Sequence, residues 1–570
     1  MSDLVIPVLL LIDGLISVVL AVWAHEIGLD PNASWGLTRF ILLSIGTALA
    51  LVSVLMIFLR KRQDNPFTLF AKSKTGRLLL AIAHVWLLVI LIYVWFITYG
   101  NWTTWGHTTN YYDQLANAFG HGRLNIDINP GAALLAAPNP YDPAHRPEFN
   151  SNAWDMSLYN GKLYVYWGPA PAVLIAPIKL LLAKPITDNM LVLFFLLGIL
   201  VFNSLILLML WRRFFGSIRA WQLLTGILLL GLVSPILWSI NSPRVYEAAV
   251  EAGQFFLMGG IFFVLSAFNK ETGIDRTRLF LAGLFWAGSV ASRAINSLPV
   301  VFMACLVLYW MLKNMRRQMS WRVSIPEITA LMTPLIIGAA AIGWYNWVRF
   351  DTPFEFGIRY QISILDLNKQ SSLVFQPDYF FLNLYSYVFQ PFGVLSKFPF
   401  IYPTTTQDLF DKLNLAMPQI YYVGRMTGLL FCVPFLVFSL AHFRSISRFP
   451  RETDHSDQGL SYDLVVYLLA GSFLIGFLVI MFYFFGQMRY LVDFISQITI
   501  LAIMGYWKLL LTWQKRHIVT SRVFLGFANL LMISTICIGL LLAFSGDFDR
   551  MKTLNPVLFE RIVNSWGIPK

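Results

Sequence analysis

The stretch LVLFFLLGILVFNSLILLMLWRR, residues 191–213, decides the class of fold. Its apolar part is about as long as the roughly 20 residues that an α-helix needs to cross a membrane. It ends in Arg212 and Arg213, and such cations are typical of the cytoplasmic surface of a membrane protein. The sequence therefore predicts a transmembrane helix here, with its C-terminal end inside the cell.

The composition of the whole chain agrees with this local prediction. Of 570 residues, 57% are hydrophobic and 13% are charged, and mean hydropathy is +0.64. Soluble proteins carry about twice that share of charge. These values exclude a soluble enzyme, a disordered tail and a small secreted domain held together by disulfides.

Apolar runs of comparable length recur along the chain, and they predict about thirteen transmembrane helices. The runs 279–291 and 297–312 are short and could form one broken hairpin, which leaves the number open by one or two. The first run lacks a basic n-region and a cleavage site, so we interpret it as a retained span. The predicted spans are residues 4–24, 37–59, 78–99, 189–211, 221–241, 251–268, 279–291, 297–312, 328–348, 426–443, 463–485, 490–512 and 523–545.

The net charge of +12 comes from short basic clusters that separate the apolar runs. Nucleic-acid binding would need a contiguous basic patch with stacking aromatics, and no such patch is visible. With every basic cluster inside the cell, the predicted spans alternate consistently, with a cytoplasmic N-terminus and an outward C-terminal tail. The basic clusters fall within residues 60–77, 212–219, 270–278, 313–322, 444–451 and 515–522.

Two segments, 100–168 and 350–425, then face the outside, and both are too long for simple connectors. We interpret 169–184, which contains three prolines, as a helix lying in the outer membrane interface. The predicted organisation is an all-α polytopic membrane bundle with two long extracytoplasmic loops. Its parts are two N-terminal helices with a basic loop (1–77), a core with the first loop (78–349), the second loop (350–425) and C-terminal helices with a tail (426–570).

The first long loop contains four carboxylates that could act as a general base or bind a divalent cation. Each also has a structural interpretation: Asp113 could be an exposed helix charge, Asp142 a turn residue and Asp155 a turn cap, whereas Asp127 has no local explanation. A helix is predicted from 111 to about 120. Lys162, after the turn at 160–161, is predicted to begin a hairpin strand.

A second set of candidates lies at the outer ends of the predicted spans, where the inside-positive bias does not explain a cation. Arginines at headgroup level can hold a lipid phosphate through paired hydrogen bonds, although snorkelling or a structural ion pair is the simpler alternative. Asp493 lies deeper, and its predicted partner is Arg489, one helical turn away. These candidates for substrate binding are Arg244, Arg293, Arg349, Arg359, Arg489, Tyr490 and Asp493, together with Asp142 and Lys162 from the first loop.

Several phrases of the sequence resemble a bacterial subgroup of the GT-C superfamily of membrane glycosyltransferases, over residues 78–512. One departure concerns His107-Thr-Thr-Asn110, where better-known members of the superfamily carry an acidic pair. The resemblance therefore ranks Asp113 first as the catalytic carboxylate, by its position, and Asp155 second, with Asp127 and Asp142 open. The phrases are YDQLANAFGHGRL (112–124), NPYDP (139–143), WDMSLYNGKLYVYWGPAP (154–171), YNWVRFDTPFEFG (345–357) and RYLVDF (489–494).

The resemblance implies a glycosyltransferase of the bacterial plasma membrane that works on its outer face. Its donor would be a polyprenyl-phosphate sugar and its acceptor an extracytoplasmic glycan, lipid or protein, with no nucleic-acid partner. The sequence specifies no cofactor, and a divalent cation such as Mg²⁺ or Mn²⁺ is left open. The alternatives are a transporter or flippase of lipid-linked sugars and a non-catalytic scaffold of the same fold. The donor sugar, the acceptor and the oligomeric state are not specified by the sequence.

Overall fold

The computed structural model shows a predominantly helical chain. It describes residues 2–24, 32, 34–59, 74–102, 105–106, 109–144, 146, 153–181, 184–269, 273–318, 325–414, 416–442, 460–515, 518–546 and 548–566. His107, His145 and the basic clusters at 60–62 and 444–451 lie outside the described residues.

The helices of the first half, in chain order, are α1 (Ser2–Trp23), α2 (Leu37–Leu59), α3 (Lys74–Ile97), α4 (Tyr111–Gly120), α5 (Ala132–Leu135), α6 (Ala170–Leu181), α7 (Asp188–Phe214), α8 (Ala220–Leu232), α9 (Ile236–Ile240) and α10 (Val245–Ala267). Those of the second half are α11 (Arg276–Ser292), α12 (Ser297–Gln318), α13 (Ile325–Phe350), α14 (Phe380–Leu384), α15 (Thr406–Leu413), α16 (Leu429–Cys432), α17 (Tyr462–Met481), α18 (Val492–Gln514), α19 (Ile518–Ser545), α20 (Arg550–Leu554) and α21 (Pro556–Ser565).

Within the described part of the chain, nine helices are long and apolar enough to cross a membrane. The predicted number of about thirteen is therefore not confirmed. The predicted span 221–241 is divided into α8 and α9 at Pro235, because proline interrupts helical hydrogen bonding. The prediction of a regular helix over 426–443 was wrong, since the chain there forms the short α16 and a 3₁₀ segment, Pro434–His442.

The short runs 279–291 and 297–312 form two separate helices, α11 and α12. A 3₁₀ turn, Ala294–Asn296, joins them, and Arg293 precedes that turn in an extended conformation. The break therefore places Arg293 at a helix end, where its side chain can turn away from the helix axis. The segment 169–184 is helical over α6, and its exposed Leu180 and Leu181 form an apolar edge. Its predicted position in the membrane interface stays a prediction.

Hydrogen bonds between non-adjacent segments define two ends of the bundle. The hydroxyl of Thr109, in the first long loop, accepts a hydrogen bond from the backbone N–H of Val245 at 2.8 Å. The carbonyl of Thr109 accepts one from the N–H of Asp188 at 3.1 Å. The N-termini of α7 and α10 therefore meet beside this loop, which we call the loop end.

The opposite end carries the basic residues and is called the basic end. Arg213, at the end of α7, donates a hydrogen bond to the carbonyl of Phe268 at 3.4 Å. Arg276, at the start of α11, pairs with Glu327, at the start of α13, with 2.8 Å between nitrogen and oxygen. The described basic clusters thus lie away from the two long loops.

The two long loops contact each other directly at the loop end. The N–H of Ile362 donates to the carbonyl of Met156 at 2.8 Å, and the N–H of Asp155 donates to the carbonyl of Ile362 at 2.9 Å. The predicted hairpin is confirmed, with its turn at residues 160–161 in left-handed backbone conformation. The paired strands are β1 (Ser157–Tyr159) with β2 (Lys162–Tyr164), β3 (Phe268–Asn269) with β4 (Gly273–Ile274), β5 (Phe392–Val394) with β6 (Ile401–Pro403), and β7 (Tyr422–Val423) with β8 (Phe485–Gly486).

Candidate functional site

Asp155 lies in the turn before β1 and faces the bundle rather than solvent. Its backbone is left-handed, with φ of 59°, a conformation that Asp tolerates better than most residues. Its carboxylate accepts a hydrogen bond from the hydroxyl of Tyr246, on the first turn of α10. Burial raises the pKa of the Asp155 carboxyl above its usual range, while the Tyr246 hydrogen bond and the charges of Arg489 and Arg244 partly oppose this rise.

Three arginines from three different helix ends share two aromatic rings, and we call them the arginine cluster: Arg244, Arg489 and Arg293. The charges of Arg244 and Arg489 act on the Asp155 carboxylate, and Arg293 lies on the other side of the Tyr490 ring. The ring of Tyr246 lies between the first two, with its centroid 5.1 Å from Cζ of Arg244 and 4.7 Å from Cζ of Arg489. The ring of Tyr490 lies between the last two, 5.3 Å from Cζ of Arg489 and 5.1 Å from Cζ of Arg293. Aromatic faces attract cations, so the two rings hold the guanidinium groups apart and oriented.

Two buried carboxylates balance part of this positive charge. Glu247 lies 3.6 Å from nitrogens of both Arg244 and Arg489, and Asp493 lies 2.9 Å from Nη2 of Arg293. The prediction that Asp493 pairs with Arg489 was wrong. Arg489 belongs to the 3₁₀ segment Met488–Leu491, before α18 begins, so the side-chain spacing of an α-helix does not apply to it.

The charges of the site balance when Asp155 is ionised, because three guanidinium groups face the carboxylates of Glu247, Asp493 and Asp155. What favours an anion is therefore the supply of N–H donors and not a net charge. Among the described residues, Nε of Arg293 is buried and makes no hydrogen bond. A phosphate oxygen is a matched acceptor for such a donor, because arginine binds phosphate with paired N–H groups. The arrangement can thus hold an anion next to a carboxylate of raised pKa.

Aromatic and polar contacts position the loop that carries Asp155. The hydroxyl of Tyr111, on α4, donates to the carbonyl of Trp154 at 3.2 Å. The ring of Trp167 lies 5.9 Å from that of Tyr111 and 5.1 Å from that of Tyr246. These contacts join the turn at Asp155 to α4 and α10, so the carboxylate is held by packed elements and not by a free loop.

Asp113 is buried and has its own partner away from the arginine cluster. Its carboxylate binds Nζ of Lys179, on α6, and accepts a hydrogen bond from the N–H of Ile186 at 2.7 Å. The interpretation of Asp113 as an exposed helix charge was wrong, because the side chain is buried and Lys179 of α6 covers it. The ion pair joins α4 to α6 beneath the first loop.

Asp127 and Asp142 lie on the surface of the loops. The side chain of Asp127 is 84% exposed and pairs with Arg123 at 3.2 Å, one helical turn before it in sequence. Asp142 accepts a hydrogen bond from the N–H of Ala144 at 3.0 Å, which confirms the interpretation of a turn residue. Neither is among the residues that the structure places around the arginine cluster.

The other predicted binding residues lie apart from the arginine cluster. Arg349 is buried, and it donates to the carbonyl of Val165 and the side chain of Asn346, both at 2.8 Å, so it fixes the strand that leads to Trp167. Arg359 is partly exposed near Glu355. Lys162 is exposed at the hairpin turn. Arg244, Arg293, Arg489, Tyr490 and Asp493 are the predicted substrate-binding residues that the structure brings together.

Tyr246 was not predicted, although it donates to Asp155 and separates two arginines. A signal was present in the sequence, since Tyr246 stands between Arg244 and Glu247 at the start of an apolar run. No group of three or more His, Cys, Asp or Glu side chains that could hold a metal ion occurs within the described part of the chain. The involvement of a divalent cation stays a prediction, and no step below depends on it.

No protein-family model matches the chain, and no curated protein matches it. Among solved structures, the fold is similar to the crystal structure of the oligosaccharyltransferase of Archaeoglobus fulgidus, tethered through a disulfide bond to an acceptor peptide that contains the NVT sequon. The TM-score is 0.39, the sequence identity is 14%, and the match covers 84% of this chain. The match covers 56% of that protein, so the chain spans little more than half of its length. No residue role is carried over from it.

Proposed function

We propose that this chain is a membrane glycosyltransferase that moves a sugar from a polyprenyl-phosphate donor to an acceptor outside the cytoplasm. The observation that supports this most is the contact of Asp155 with Tyr246 beside the arginine cluster. A proton acceptor and an anion site lie together there, at the end of a bundle whose helices are long enough to span a membrane. A polyprenyl phosphate places its phosphate group at the end of such a bundle and its hydrocarbon chain in the surrounding bilayer.

The basic end is assigned to the cytoplasm in this proposal, because Lys and Arg accumulate on the cytoplasmic side of membrane proteins. The loop end, and with it Asp155, then faces outward, in the plasma membrane of a bacterium. A labelled cysteine in place of the exposed Lys162 reports the side directly. If Lys162→Cys is modified only from the cytoplasm, the orientation and the choice of donor are both wrong.

The proposed reaction exchanges one bond at the anomeric carbon for another. The acceptor hydroxyl attacks the anomeric carbon, its proton passes to the Asp155 carboxylate, and the bond from that carbon to the phosphate oxygen breaks. The departing polyprenyl phosphate gains one negative charge, which Arg244, Arg293 and Arg489 stabilise in place. Inversion at the anomeric carbon requires the sugar to lie between the phosphate held by the arginines and the Asp155 carboxylate, so that the acceptor hydroxyl attacks the face opposite the leaving group.

The first experiment identifies the bound lipid. The full-length protein, purified in mild detergent, is expected to carry polyprenyl phosphate or its sugar derivative, detected by mass spectrometry of the extracted lipid. Arg244→Gln should lose most of it, since a charge-assisted hydrogen bond contributes about 1.5–3 kcal/mol. Arg123→Gln, which removes an exposed cation on the same face, is the matched control. An equal lipid content in all three proteins would contradict the proposed donor site.

Transport of a lipid-linked sugar is the second candidate function, and one buried group favours it. Glu251 lies one turn deeper than Glu247 on α10, is fully buried, and accepts a hydrogen bond from Ser239 at 2.7 Å. Ionisable groups inside membrane spans often mark a translocation path. Movement of labelled lipid across a reconstituted bilayer without any sugar transfer would favour transport over transfer.

The pH dependence of transfer provides a test of Tyr246. Asp155 acts as a base only when it is ionised, so the rate should fall as the pH drops through the raised pKa of this carboxyl. The Tyr246 hydrogen bond stabilises the ionised form, and its loss in Tyr246→Phe raises the pKa further. A hydrogen bond to a charged group corresponds to about 1–2 pH units, so we expect the acidic limb of the pH–rate profile to move upward by that amount.

The matched control for this experiment is Tyr141→Phe. The hydroxyl of Tyr141 donates to the carbonyl of Leu158 and does not touch Asp155, so its profile should coincide with that of the unmodified protein. An unchanged profile in Tyr246→Phe, at full activity, would mean that Asp155 is not the group whose ionisation limits the rate.

A further inference from the structure

An open groove lies on the surface of the loops, separate from the arginine cluster. Its volume is about 360 Å³, and it is formed where the turn after Tyr141 meets a segment of the second long loop. None of the steps proposed above uses it. Its lining residues are Asp142, Pro143, Ala144, Ile364, Leu365, Asp366, Lys369 and Gln370.

The groove contains two carboxylates, and that of Asp366 already accepts hydrogen bonds from the side chain of Asn139 and from two backbone N–H groups. Nζ of Lys369 lies 3.7 Å from a carboxylate oxygen of Asp142 and 3.6 Å from one of Asp366, and its side chain is largely exposed. Oε1 of Gln370 is buried and has no hydrogen-bond partner among the described residues. Buried polar atoms of folded proteins are almost always paired, so this oxygen is a candidate acceptor for a ligand once a rotation of the Gln370 side chain turns it toward the groove.

The rest of the groove is apolar, and its charges nearly cancel. Pro143, Ala144 and Ile364 supply hydrocarbon surface, and the side chain of Ile364 is more than half exposed. Asp142 and Asp366 face Lys369 inside the groove and the guanidinium of Arg146 beside it. A neutral ligand that carries both hydroxyl groups and C–H faces fits this combination better than an anion, which the two carboxylates repel, or an apolar chain.

The groove is connected to Asp155 through a few residues of backbone. The N–H of Asp155 donates to the carbonyl of Ile362, and the groove begins two residues later, at Ile364, within about 7 Å along an extended chain. Arg146 also connects the groove to the turn that carries Asp155. It donates a hydrogen bond to the carbonyl of Ser363, and its Cζ lies 5.9 Å from the ring centroid of Trp154. A ligand longer than one sugar ring could therefore extend from the groove past Trp154 toward Asp155.

We propose that this groove binds the acceptor and that the acceptor is a carbohydrate. This inference rests on the proposed transfer reaction, because it names the substrate that receives the sugar. Asp142 and Gln370 accept hydrogen bonds from ring hydroxyls, and Pro143 and Ile364 pack against a C–H face. The exposed Trp154 lies on the path toward Asp155. The next hydroxyl of the glycan is then presented to the base.

The test uses the purified full-length protein and four neutral disaccharides, namely cellobiose, maltose, chitobiose and α-1,2-mannobiose, with inorganic phosphate as the anionic probe. Saturation-transfer NMR should show saturable binding of at least one disaccharide. Gln370→Ala should weaken it roughly tenfold, the effect of losing one hydrogen bond at a site where its partner is left unpaired. The matched control is Gln376→Ala, since Gln376 donates to the carbonyl of Ser372 outside the groove.

The outcomes separate this inference from the proposed function. If no disaccharide binds, if Gln370→Ala binds as the unmodified protein does, or if inorganic phosphate displaces the sugar, the groove is not a site for a neutral carbohydrate. The donor lipid is measured on the same preparations. Retained lipid with no sugar binding contradicts the acceptor groove alone, whereas sugar binding without any polyprenyl lipid contradicts the donor and leaves the groove as a glycan site.

Discussion

Replacing Asp155 with Asn is expected to lower the rate of sugar transfer by a factor on the order of 10²–10⁴, the usual contribution of a general base. Asn keeps the size of the side chain and an oxygen that can accept the Tyr246 hydrogen bond, but it cannot take a proton from the acceptor. Binding of the donor lipid should persist in Asp155→Asn, because the arginine cluster is unchanged. The measurement is the initial transfer rate in reconstituted vesicles together with the amount of bound lipid.

Two other carboxylates of the first long loop serve as controls for this prediction. Asp127→Asn alters an exposed side chain that pairs with Arg123 and should leave the rate unchanged. Asp113→Asn removes the partner of Lys179 and should affect stability more than the rate of the folded fraction. If Asp113→Asn abolishes transfer at normal stability while Asp155→Asn stays active, the base is Asp113 and the arginine cluster serves another purpose.

The elements of this fold that the sequence predicts well are those defined by local pattern. The run at 191–213 lies within one helix, α7, and the turn at 160–161 joins β1 to β2, because hydrophobic length and turn chemistry act over a few residues. The segment 426–443 has a helical length and composition, yet it forms a short helix and a 3₁₀ segment. The hydropathy of a segment indicates whether it is surrounded by apolar groups. It does not indicate whether its backbone forms α-helical or 3₁₀ hydrogen bonds.

Most residues of the site were predicted, with Tyr246 and Glu247 as exceptions, but the contacts between them were not. Asp155 and Tyr246 are 91 residues apart, and Arg293 and Asp493 are 200 residues apart. Such contacts depend on which helix ends meet, and nothing in the local pattern specifies that arrangement. The ranking of Asp113 above Asp155 relied on position along the first loop. The structure instead favours Asp155 as the proposed base, because α6 and Lys179 enclose Asp113 away from the arginine cluster.

The ion pair of Arg293 and Asp493 provides the second large effect, and it separates a structural role from a binding role. Both side chains are mostly buried, and their atoms approach to 2.9 Å. Arg293→Met alone leaves Asp493 as an uncompensated buried charge, so we expect a loss of about 3–5 kcal/mol of stability. It should be visible as a lower midpoint of thermal unfolding in detergent.

The double variant Arg293→Met/Asp493→Leu removes both charges, and replacing a buried pair by apolar residues is often neutral or stabilising. We therefore expect the thermal midpoint of the double variant to return to that of the unmodified protein. The double variant should nevertheless lose the donor lipid, because an arginine of the anion site is missing. The matched control is Arg276→Met/Glu327→Leu, which removes an ion pair at the basic end and should retain the lipid. If the first double variant is stable and binds lipid normally, Arg293 only neutralises Asp493, and the anion site reduces to Arg244 and Arg489 around Tyr246.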